Sequence, residues 1–182
     1  MNVLDAIALR RSVRAYAPEA VEPEEMEAIV RAGGLAPVFG RFHMTVIEDP
    51  RLLREVNDIT LERMRRSGNG FLEKRAAEEG YAPLYGAPAM IVLSAPGGND
   101  SNGFNMANVS CAAENMIVEA TALGLGSCFV MGPMLAFEDA ALAKKVQIPE
   151  GYVPLVGVLV GHPREALTEN PRKRPDNVTY LR

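Results

Sequence analysis

Residues 9–16 read Leu-Arg-Arg-Ser-Val-Arg-Ala-Tyr and place three arginines and a serine within five positions. A guanidinium is a planar fork of donors that fits a phosphate, and a neighbouring hydroxyl adds one more, so Arg10, Arg11, Ser12 and Arg14 have the composition of an anion cradle. Arginines in the last turn of a helix also oppose the partial negative charge there, and a solvated helix end by itself accounts for Arg10 and Arg11. A second basic cluster, Arg172, Lys173 and Arg174, stands near the other terminus. Lys plus Arg number 19 against 23 Asp plus Glu, a net charge of -4. No general basic field exists to hold nucleic acid or an anionic membrane, so any anion site is local, and two basic ends sharing one ligand is the simplest reading.

Other chemistries are excluded by what the chain lacks. Cys111 and Cys128 are too few for a disulfide framework and too far apart for a Cys-x-x-Cys motif, and both read as buried free thiols in a reducing compartment. The two histidines, His43 and His162, have no metal-ligand spacing around them and no Ser/His/Asp arrangement, so no metal is expected. The N-terminal residues show no export signal and no apolar stretch reaches the length of a membrane span, which makes the expected location cytoplasmic.

The elements that must position the basic residues follow from pattern. Asn2 caps a short helix with Val3, Leu4 and Ile7 at helical spacing; it frays near Arg11 and leaves residues 12–17 extended. Pro23 opens a second helix with a Met26, Ile29 and Val30 stripe, and Gly33-Gly34 weaken or stop it. Residues 44–47 are a strand, and Asp49-Pro50 starts a helix carrying Leu52, Leu53, Val56, Ile59 and Met64 inward. Residues 67–86 are polar and irregular, a flexible cover. The run 89–93 between Pro88 and Pro96 is a strand buried on both faces. A helix from about Phe104 to Leu123 is apolar nearly all round, and Asn105, Asn108, Glu114 and Asn115 on it are expected at a subunit interface. Strands at 127–130 and 155–160, a helix near 138–146 and a proline-rich arm with a final strand at 178–181 complete the chain. With 182 residues and 48% hydrophobic content, a single domain is expected over 1–182, with 163–182 as an arm packing on a partner subunit.

In this order the segments "RRSVRAY", "GGLAP", "HMTVIED", "YGAPAMIVLSA", "NMANVSCAAENMIVEATALGLGSCFVMG", "PEGYVPLVGVLVGHP" and a terminal "RKR" resemble the FMN-dependent nitroreductase family, in its small subgroup. The resemblance implies an α+β sandwich, an antiparallel sheet flanked by helices, in an interlocked homodimer with FMN at the interface. It implies that Arg10, Arg11, Ser12 and Arg14 hold the FMN phosphate and ribityl chain, and that Arg172 and Arg174 complete the phosphate site. Backbone N–H groups at Met131 and Gly132 fall where the family approaches flavin N5. The segment that usually reaches the other side of the flavin carries Pro-Ser and an Asn, but here reads Pro37-Val38-Phe39-Gly40-Arg41, so backbone contacts at Pro37 and Val38 are implied without the usual hydroxyl and amide. Phe39 is either a pocket residue or core, Phe42 core, and His43 structural. The implied activity is ping-pong hydride transfer from NADH or NADPH through flavin N5 to a small nitroaromatic or quinone-type acceptor. Dehalogenation, ene reduction or flavin destruction on the same scaffold, and flavin binding without turnover, are the alternatives.

Overall fold

The computed structural model describes residues 1–98, 100, 103–168 and 177–182. Side-chain caps start most helices. The Asn2 carboxamide accepts from the Asp5 N–H at 3.0 Å and opens α1, Val3–Leu9. Glu22 and Glu25 cap one another reciprocally ahead of Pro23 and open α2, Pro23–Gly34. Asp49 accepts from the Arg51 N–H to start α3, Pro50–Arg65, whose buried residues are Leu53, Val56, Thr60 and Met64, with Leu52 and Ile59 packed at the margin. As expected, α2 ends at the glycine pair, its last residue being Gly34. Gly33 has a second role: a Cβ there would stand 2.2 Å from the Met116 Cε, so glycine lets α2 close on the long helix α5, Phe104–Ala122.

Four antiparallel strands run in the order β1-β2-β4-β3: β1 His43–Ile47, β2 Ala89–Pro96, β3 Gly126–Val130 and β4 Tyr152–Gly161. Every β2 residue from Ala89 to Ala95 is buried, as its unbroken apolar run requires for a strand covered on both faces. Alternation divides the core in two. Ile91, Leu93, Val156 and Val158 meet α2 and α5 on one face, and Met90, Val92 and Leu159 meet α3 and the segment after β3 on the other.

Several expectations need correction. Residues 67–86 contain a helix, α4 (Gly70–Ala76), because the Asn69 carboxamide accepts from the Phe71 and Leu72 N–H groups. The helix expected near 138–146 is present as α6, Ala140–Lys145, capped by Asp139, but a 3-10 turn that was not foreseen, Gly132–Glu138, precedes it. Cys128 is buried but Cys111 is exposed, on a strip of α5 with Ala107 and Glu114 that is exposed among the described residues. Residues 177–182 form no strand with their own chain and are exposed. Asn105, Asn108 and Asn115 are engaged within the chain, on the carbonyl of Pro96, the peptide of Phe39 and the carbonyl of Ala32.

Candidate functional site

After α1 the chain runs extended along the free edge of β3. Ser12 bridges Ser127 in parallel, the Val13 N–H donates to the Ser127 carbonyl at 2.8 Å, and the Ala17 N–H donates to the His162 carbonyl at 2.9 Å. Arg164 closes the other side: its backbone N–H donates to the Ala15 carbonyl at 3.1 Å and its Nε to the Tyr16 carbonyl at 2.9 Å. Val13 and Tyr16 are buried against the fold, while Ser12 and Arg14 between and beside them are exposed. The result is a cleft of about 540 Å³ lined by Arg11, Ser12 and Arg14 together with Pro163 and Glu165.

Gly126 makes this closure possible. A Cβ there would lie 3.0 Å from both Val13 methyl groups, so a larger residue has to lift the basic segment off β3. Gly126→Val therefore lowers stability by about 1–3 kcal/mol, as overpacking does, whereas Gly34→Ala is near neutral or mildly stabilising; at Gly34 a Cβ meets nothing within 4 Å. Urea denaturation of the two variants checks this, and equal stability for both would mean that the segment is not held by the contact.

The arginines differ in what holds them. The Arg10 Nε lies 3.4 Å from Glu114 on α5, so its fork is engaged away from the cleft. Arg11 donates to the Thr168 hydroxyl at 3.3 Å and lies 3.9 Å from the exposed Glu165, which leaves it weakly tied. Arg14 makes no ion pair among the described residues; its guanidinium stands 5.9 Å from the centre of the Tyr85 ring. Beneath them, burial pushes the Cys128 thiol up, against the opposing pull of Arg14 and the Ser12 hydroxyl. Burial likewise raises the Tyr16 phenol. The Tyr16 and Ser127 hydroxyls are buried without a partner among the described residues.

At the other end of β3, Met131 leaves the strand at φ -117° and ψ -30° and precedes the 3-10 turn. Its side chain is exposed, and its N–H donates to no carbonyl among the described residues. Four strand steps separate Ser127 from Met131, about 13 Å at ~3.3 Å per residue. A single strand edge thus carries cationic donors at one end and, at the other, the Met131 and Gly132 N–H groups, neither of which donates to a backbone carbonyl among the described residues. Pro37, Val38 and Phe39 are not brought to this edge. They join α2 to β1, at the opposite side of the sheet. Arg172 and Arg174 lie outside the described residues. The pattern did not disclose the roles of Asn108, Glu114 and Tyr85; an asparagine on an otherwise apolar helix face was the available signal for the first.

A two-faced antiparallel sheet between helical layers, with a cleft lined by Arg11, Ser12 and Arg14 along the edge of one strand, defines an α+β fold. The chain belongs to the nitroreductase family, whose model matches residues 7–162. It resembles a nitroreductase with bound FMN from Bacteroides fragilis, at a TM-score of 0.88 and 27% identity over 100% of both chains. A nitroreductase with bound FMN from Desulfitobacterium hafniense gives 0.86 and 27%, again over 100% of both. An FMN reductase (NADPH) from Bacillus subtilis is 23% identical over 94% of this chain and 70% of its own length.

Proposed function

We propose that this chain works as an interlocked homodimer that takes hydride from NADH or NADPH and reduces small nitroaromatic or quinone-type acceptors in alternate half-reactions. That it is an FMN-dependent NAD(P)H oxidoreductase follows from its family, from FMN in structures of similar fold and from the NADPH-dependent relative. The observation carrying the site assignment is the convergence of Arg11, Ser12 and Arg14 in one cleft beside β3. These donors fit a phosphate: two guanidinium groups and a hydroxyl, with Glu165 the one carboxylate among the described lining residues.

Bound FMN supplies a relay for two electrons through its N5. Arg11, Ser12 and Arg14 anchor its phosphate, and Arg172 and Arg174 of the terminal arm complete that anchor. Arg10, held by Glu114, fixes the start of the basic segment on α5. The Met131 and Gly132 N–H groups orient the ring edge and stabilise negative charge there, as positioned donors do at a reacting centre. Pro37, Val38 and Phe39, at the far side of the sheet, serve a site completed by the second copy.

The dimer has its own support. Ala107 and Cys111 on α5 join exposed Val3, Leu4 and Ile7 on α1 and Leu35 after α2 as apolar surface that one chain leaves open. We read 1–182 as one FMN-binding domain working in the cytoplasm; of the expected arm 163–182, Pro163, Arg164, Leu167 and Thr168 pack on their own chain, so the part assigned to the partner begins after Thr168. The test is the absorbance spectrum of the purified protein before and after NADPH or NADH. A yellow protein with about one FMN per chain, bleached by either donor and scattering light as a dimer, is expected. A colourless chain that takes up no added FMN overturns the reading.

A further inference from the structure

Phe39 is among the most exposed aromatic residues of the described chain, with 75% of its surface open, yet its backbone is firmly fixed. The Asn108 carboxamide, on a side chain only 5% exposed, holds both polar groups of the Phe39 residue. Its Oδ1 accepts from the Phe39 N–H at 3.0 Å and its Nδ2 donates to the Phe39 carbonyl at 2.6 Å. Gly40 then turns the chain away at φ +111°, a conformation that favours glycine. The Phe39 ring leans on Phe104 with centroids 5.2 Å apart and planes tilted by 51°.

A buried amide that satisfies both of its hydrogen-bonding ends on one exposed residue fixes where that residue stands. With its backbone held in this way, the ring stands out from the core, and the tilted contact with Phe104 takes one side of it and leaves the other face open. We propose that Asn108 is a positioning residue that presents Phe39, braced by Phe104, as the wall on which flat, uncharged aromatic acceptors stack. This deepens the functional reading above and rests on its placement of residues 37–39 at the flavin. Phe39 supplies the contact with the acceptor, and Asn108 acts only through it.

The consequence is selective. Acceptors that stack need the wall, whereas a compact anion such as ferricyanide does not. With NADPH saturating, Phe39→Ala should raise the KM for the quinone menadione by about 3- to 10-fold, the loss of one aromatic contact, and leave the KM for ferricyanide within about twofold. Asn108→Ala should do the same, and the double variant should be no worse than either single, because both remove one interaction. Phe39→Tyr keeps the ring and should keep the low KM. If Asn108→Ala does not fold, Asn108→Ser takes its place in the cycle; Phe39→Ala, at an exposed position, keeps the fold. Multiplying effects, equal losses for both acceptors, or a silent Phe39→Ala overturn the inference while the enzyme still turns over. A wild-type protein that reduces neither acceptor overturns the functional reading and this inference with it.

Discussion

Arg14→Glu lowers FMN affinity by about 100-fold or more, while Arg66→Glu leaves it within about twofold. Both reverse one charge, so net charge cannot separate them. Arg14 lines the cleft beside β3 and has no ion pair among the described residues; it stands past the end of α1, which closes at Leu9. α1 has no basic residue in its last turn and Arg10 is its C-cap, so a helix-end explanation reaches Arg10 at most and does not reach Arg14. A charge-assisted bond to phosphate contributes about 1.5–3 kcal/mol, roughly 10- to 150-fold, and a carboxylate at the same position adds repulsion. Arg66 is a solvated arginine 2.8 Å from Glu62 one turn away, a pair of the kind that contributes about 0–1 kcal/mol. Since the Arg14 guanidinium also packs against Tyr85, Arg14→Lys separates charge from shape: it keeps the charge, loses the fork and falls between wild type and Arg14→Glu. Fluorescence titration with FMN measures all three. Equal losses at positions 14 and 66 would return the basic segment to a solvated surface role.

What the sequence disclosed and what it concealed divide along a physical line. Features set by neighbours in the chain were legible. The unbroken apolar run of β2 implied burial on both faces, and alternation then sends Ile91 and Met90 to opposite core layers. The Asp49-Pro50 pair opened α3, as a cap followed by a first-turn proline should. Features set by distant packing were not legible. The Gly33-Gly34 pair was legible as the end of α2, which closes at Gly34, but nothing local says that Gly33 also admits Met116. Arg10 and Arg11 are adjacent and chemically alike, yet Glu114, more than a hundred positions on, claims the first and leaves the second in the cleft. The same holds for residues 37–39. Their distance from Ser12 depends on strand order, which puts β1 and β3 at opposite edges of the sheet, and no periodicity encodes that order. Cys111 illustrates the remaining case, where the apolar pattern of α5 was read correctly but one of its faces is exposed among the described residues.

Met131→Pro slows flavin reduction by NAD(P)H about 100- to 1000-fold, and Met131→Leu leaves it unchanged. The asymmetry comes from which part of the residue works. The Met131 side chain is 54% exposed, so it fills no core, and leucine conserves its volume and its N–H. Its N–H, by contrast, donates to no carbonyl among the described residues and sits where β3 ends, ready for a ligand. Removing one positioned donor at a reacting centre costs on the order of 100- to 1000-fold in rate. Proline deletes that donor but also imposes φ near -65°, whereas Met131 stands at -117°, so some strain accompanies the deletion. Strain and donor loss leave different traces. Strain at the end of β3 reaches Val130, opposite Gly157 in the ladder, and lowers Tm and FMN affinity together with the rate. Donor loss at the ring edge slows reduction while the phosphate anchor at the other end of the strand keeps FMN bound. Stopped-flow reduction rates, read beside Tm and FMN titrations of the same variants, separate the two. A rate loss matched by comparable losses in Tm and FMN affinity would assign the effect to a distorted strand and remove the Met131 N–H from the reacting centre.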